Sequence, residues 1–105
     1  MTQISKVTKL VTFINIFTVK PEDQSCLVEL LARVTETSVR HAPGFVSARL
    51  HRSLDGKKVA MYAQWRSLED YEAMRKDPAP AAELREALAI ATFEPAAYEV
   101  VESYG

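Results

Sequence analysis

The chain has 105 residues, 48% of them hydrophobic and 26% charged, the make-up of one ordinary globular domain spanning 1–105. Thirteen Lys and Arg stand against fourteen Asp and Glu, a net charge of −1, so no field draws it to nucleic acid or to an anionic membrane. The single cysteine, Cys26, excludes an internal disulfide and a cysteine metal cluster. With no signal-peptide pattern and no apolar run of about 18 residues, the expected location is the cytoplasm.

Residues 1–10 read as a loose polar arm. The segment LVTFINIFTV (Leu10–Val19) is rich in β-branched and aromatic residues and predicts a strand. Pro21 suits the first turn of a helix, and Glu22 and Asp23 complement the positive end of its dipole. Leu27, Leu30, Leu31, Val34 and Ser38 then fall at helical spacing and form a core-facing stripe. Pro43 and Gly44 end that helix.

FVSARLHRS (Phe45–Ser53) predicts the second strand, and Asp55-Gly56 marks a hairpin to the third, VAMYAQW (Val59–Trp65). Ser67 can cap the next helix, which stops near KDPAP. Asp77 caps a second helical piece with Pro78 at its first position, and AAYEVVES (Ala96–Ser103) predicts the last strand. The order β-α-β-β-α-β is the ferredoxin-like pattern: an α+β fold whose antiparallel sheet carries helices on one face. Both faces of the first strand are largely apolar, so a homodimer packed sheet against sheet is expected to cover the other face.

Polar residues interrupt this pattern at a few places. Asn15 sits between Phe13 and Phe17 on the face toward the helices. A buried amide there either satisfies backbone at an irregularity or lines a cavity. In the third strand Val59, Met61, Ala63 and Trp65 share one face, and the small Ala63 leaves space beside the indole. By residue type alone, a lone tryptophan is more often core than ligand contact. Tyr71 falls in the first turn after Ser67, and Arg85 lies one step off the Leu84–Leu88 stripe, where a surface ion pair would also explain it. Simple alternation puts His51 on one strand face with Phe45, Ser47 and Arg49, a further candidate for a pocket wall. His41 and His51 have no metal-ligand spacing, and no phosphate loop, dinucleotide motif or GxSxG elbow is present.

The segments VTFINIFTV, PGFVSARLHRSLDG, YAQWRSLEDY and DPAPAAELREAL together resemble the antibiotic biosynthesis monooxygenase family from Val11 to about Ser103. Within it the chain is similar to the anthrone monooxygenases of aromatic polyketide pathways, those of actinorhodin and nogalamycin among them. The resemblance implies a dimeric α/β barrel that oxidises a small aromatic polyketide-like substrate to a quinone with molecular oxygen and no cofactor. It implies catalytic roles for Trp65, Tyr71, Arg85 and Asn15, with Phe13, Phe17, Met61 and His51 toward the substrate and no metal site. Met61 stands where those relatives carry an asparagine. The family's haem-degrading members use a helix histidine, and here the corresponding stretch offers Glu83. A dimer that binds a small aromatic ligand without oxygen chemistry is the alternative.

Overall fold

The structure is a computed structural model that describes residues 10–105. The expected arm over 1–10 therefore lies, except for Leu10, outside the described residues. The elements run β1 (Val11–Val19), a 3-10 turn (Pro21–Asp23), α1 (Gln24–Thr37), a second 3-10 turn (Val39–His41), β2 (Phe45–Arg52) and β3 (Lys58–Trp65). They continue as α2 (Leu68–Lys76), α3 (Pro78–Ile90), β4 (Ala91–Glu94) and β5 (Ala97–Tyr98). The strands form one antiparallel sheet in the order β2-β3-β1-β4, with β5 also on β1. This is the ferredoxin-like α+β arrangement expected from the sequence.

β1 is the central strand. It pairs with β3 along its length, from Val11 opposite Trp65 to Thr18 opposite Lys58. On its other side β4 and β5 act as one interrupted edge strand. Pro95, between them, has no N–H for the ladder, and the gap is bridged by Ile14 N–H donating to Ala96 O at 3.1 Å. The predicted last strand, Ala96–Ser103, is corrected here on both sides. Pairing starts earlier, at Ala91, and ends at Tyr98. Tyr98 already faces Thr12, so the residues after it run past the start of β1 and find no partner strand among the described residues.

Local chemistry accounts for the joints. The Ser67 hydroxyl accepts from Asp70 N–H at 3.0 Å at the front of α2. Asp77 Oδ1 accepts from Ala79 N–H at 3.1 Å at the front of α3, with Pro78 first in that helix. The β2–β3 hairpin turns at Gly56, whose φ of 83° is open to glycine. Gly44 has φ 85°, and a Cβ there would run into the Asp70 carboxylate. Buried Gln24 ties α1 to the hairpin, its Nε2 donating to Ser53 O at 3.1 Å and Lys58 O at 3.0 Å.

The helices cover the sheet face bearing Phe13, Asn15, Phe17 and Val19. Burial there is divided into two clusters. One joins Phe17, Val19, Leu27, Leu31, Val59 and Ala87; the other joins Phe13, Ala63, Trp65, Tyr71 and Met74. Asn15 lies on β1 between them. No helix of the described residues is long and apolar enough to cross a membrane.

Candidate active site

A cavity of about 70 Å³ opens where the two core clusters meet. Its walls are mostly apolar. Asn15 and Phe17 come from β1, Met61, Ala63 and Trp65 from β3, and Tyr71 and Met74 from α2. Strand alternation explains the β1 and β3 contributions, since every second side chain points to the helices. Ser67 sets where α2 begins and so brings Tyr71, one turn in, over the sheet.

The aromatic residues form a fixed frame. Trp65, 1% exposed, meets Phe45 edge-on at 5.5 Å and Tyr71 edge-on at 5.7 Å between ring centres. Phe13 stacks on the Tyr71 ring at 3.7 Å. Phe17 stacks on Phe93 of β4 at 4.7 Å. Such contacts add to the area buried and hold ring orientation.

Asn15 is 8% exposed, and its Oδ1 has no hydrogen-bond partner among the described residues. Its cross-strand neighbour is Met61, whose thioether supplies no donor. An unmade hydrogen bond at a buried carbonyl costs about 1–3 kcal/mol. Asn15 thus lines an apolar cavity while its acceptor oxygen lies buried and unused beside it.

Trp65, Tyr71, Asn15, Phe17 and Met61 meet at the cavity as expected. Three other candidates stand elsewhere. Phe13 is buried behind Tyr71 and braces it without lining the cavity. Arg85 is exposed on α3, whose neighbouring Leu84 lines the cavity; one residue on is about 100° around a helix, which turns the guanidinium away.

His51 is exposed on the opposite face of the sheet, beside Ser47, Arg49, Tyr62 and Gln64. The cause is a bulge. Phe45 faces Trp65 and Ser47 faces Gln64, so Val46 is an extra residue. It reverses the alternation, sending Phe45 inward and His51 outward.

Arg75 was missed by sequence reasoning. It lines the cavity, and its Nη1 donates to Tyr71 Oη at 3.1 Å. The signal was there in the four-residue spacing from Tyr71, which places both on one helix face. No group of three His, Cys, Asp or Glu side chains among the described residues could hold a metal ion.

The family model described as antibiotic biosynthesis monooxygenase matches residues 10–88. The chain is 43% identical to the tetracenomycin-F1 monooxygenase of Streptomyces glaucescens, over 100% of this chain and 94% of that protein. Among solved structures it is similar to SnoaB, a cofactor-independent oxygenase from Streptomyces nogalater, with a TM-score of 0.76 at 25% identity, covering 90% of this chain and 95% of that one. A conserved protein from Methanosarcina mazei Go1 shares the fold with a TM-score of 0.80 at 12% identity, covering 90% of this chain and 96% of that one.

Proposed function

The chain belongs to the antibiotic biosynthesis monooxygenase family and is a monooxygenase, and from that premise we propose that it oxidises a polycyclic phenolic polyketide of the anthrone type to a quinone. Molecular oxygen is the oxidant, and no metal, haem or flavin takes part. The observation that carries this reading is the buried Asn15 side-chain oxygen, unpartnered among the described residues, beside an apolar aromatic cavity with Trp65 and Tyr71.

A phenolic anthrone needs little apparatus. Losing a ring CH proton makes it an electron-rich carbanion that gives one electron to oxygen. The two radicals combine to a peroxide. The peroxide loses water, so that CH2 and O2 become C=O and H2O. The protein's share is to bind a flat ring system, favour its ionised form and direct proton donors at the peroxide.

Asn15 Oδ1, enclosed as placed, accepts from a phenolic O–H once the side chain turns toward the cavity. Rotating the amide offers its NH2 to the same oxygen once ionised. Trp65 provides a face for the rings and an indole N–H for a carbonyl. Tyr71 Oη, hydrogen-bonded by Arg75, is the donor best placed to hand a proton to the peroxide. Phe17 and Met61 complete the apolar wall.

A tricyclic substrate needs more room than the closed cavity offers, since pockets for drug-sized ligands hold roughly 300–1,000 Å³. Leu88 and Arg75 line the cavity and are exposed to solvent, so they form its mouth, and a substrate enters past the Leu88 side chain. A second copy of the chain is the inferred cover of the outer sheet face. That face carries Ile14, Ile16, Ala60 and Tyr62 with no helix of the described residues over it, and past Tyr98 the chain leaves Val101 and Tyr104 exposed. Light scattering coupled to gel filtration tests the dimer.

The reaction is tested by oxygen uptake with emodin anthrone or dithranol, using protein stripped of metal and flavin. Uptake well above the uncatalysed rate is expected. Uptake equal to that rate rejects the reading for this substrate class.

A further inference from the structure

Arg75 is the one charged residue among the described residues that line the cavity. Three contacts hold it. Its Nη1 donates to Tyr71 Oη at 3.1 Å. Its guanidinium carbon lies 5.3 Å from the Phe93 ring centre and 5.9 Å from that of Tyr71. The ion pairs among the described residues are Arg33 with Glu83 and Arg40 with Glu36, so no carboxylate of these residues neutralises Arg75.

An exposed arginine ordinarily moves freely or pairs with a nearby acid. This one is fixed against two aromatic rings, and most of its five N–H donors meet no acceptor among the described residues. Because the guanidinium is planar and already oriented, a carboxylate reaching it gains two parallel hydrogen bonds with little further loss of freedom. The other polar end of the cavity is neutral, the Asn15 amide. A flat ligand is thus offered a neutral hydrogen-bonding group within and a cation at the rim.

Resting on the reading above, we propose that Arg75 is a specificity-determining residue that selects polycyclic aromatic substrates bearing a carboxylate on the ring edge nearest the cavity mouth. The phenol to be oxidised then lies toward Asn15 and Trp65, and the acid stays at the solvent edge. This also assigns Arg75 a second task, holding the Tyr71 hydroxyl in place, so that recognition of the acid and orientation of the proton donor share one side chain.

The test is equilibrium binding of two matched probes, anthraquinone-2-carboxylate and anthraquinone-2-carboxamide, to the full chain, followed by Trp65 fluorescence with inner-filter correction. The carboxylate is expected to bind about tenfold more tightly, as suits a charge-assisted contact at a partly exposed site. The preference should shrink as ionic strength rises. Arg75→Gln should abolish it while leaving the carboxamide affinity within twofold, and Arg75→Lys should keep part of it. Equal affinity of the two probes for the unaltered protein overturns the proposal. So does a preference that survives in Arg75→Gln, a parallel loss of both probes in that variant, or binding of neither probe. No oxygen is consumed in this assay, so absence of catalysed oxygen uptake would count against the reaction alone.

Discussion

Asn15→Leu separates the two things the amide does, and its effects should have opposite signs. In the folded protein Asn15 is 8% exposed, and its side-chain oxygen is buried with no partner among the described residues. That unmade bond costs about 1–3 kcal/mol. Leucine has a similar branched shape, no polar atom and a better strand propensity. Its extra volume points at the adjoining cavity of about 70 Å³, so overpacking is relieved there. A net stabilisation of about 1 kcal/mol is expected, which for a domain of this size raises Tm by roughly 4–8 °C. Removing one hydrogen-bonding group from a developing oxyanion costs about 10²–10³ in kcat. Differential scanning calorimetry and oxygen uptake on the same preparation read both effects. A lower Tm would show that the amide is already satisfied in the folded protein. A kcat within threefold of the unaltered enzyme, with the higher Tm, would remove Asn15 from the reaction.

Three further outcomes are expected. Ser67→Ala deletes the cap on the helix that carries Tyr71 and Arg75; it should cost about 1 kcal/mol of stability in urea unfolding, and lower kcat at a temperature where the protein is still folded. Gly44→Ala combines an unfavourable φ of 85° with a clash against Asp70, and should destabilise by more than about 1 kcal/mol in the same assay; a neutral result would mean that β2 can shift away from α2. Asp55 is held below the ordinary carboxylate range, first by the Ser53 hydroxyl and then by Lys57 N–H. Its folded form therefore binds protons less readily than the unfolded chain, and its contribution is present above about pH 4 and lost as pH falls through the lowered value. Asp55→Asn should flatten part of the acid-side fall in Tm and leave the neutral-pH pH dependence unchanged.

The features most legible in the sequence are those with a local cause. Ser67 and Asp77 cap the helices they were expected to cap, and Asp55-Gly56 turns the hairpin. Alternation in β1 and β3 put Asn15, Phe17, Met61 and Trp65 on one wall because both strands are regular. His51 was misplaced because a bulge has no composition of its own: Val46 suits a strand as well as any neighbour. Arg85 and Arg75 exchanged places for a similar reason. Which way a helix is rotated over a sheet depends on packing by all its residues, and for Arg85 one step of about 100° decides between cavity and solvent. β4 was hidden because Ala91 continues an alanine-rich helical run, and only pairing with Val19 makes it a strand.

The extra residue at Val46 has a bearing on how this chain tolerates insertions and deletions. It works as a frame change within β2, after which inner and outer positions are exchanged. Deleting Val46 would close the bulge and keep Phe45 opposite Trp65 and Ser47 opposite Gln64, whereas inserting one residue between Ser47 and His51 would send His51 into the core or force Phe45 off Trp65. Substitutions along β2 can accumulate one at a time, and one residue can be lost, whereas none can be gained without a second irregularity. The hairpin tip a few residues away, where Leu54 is wholly exposed, is free to grow or shrink, and length differences among descendants of this sequence should collect there.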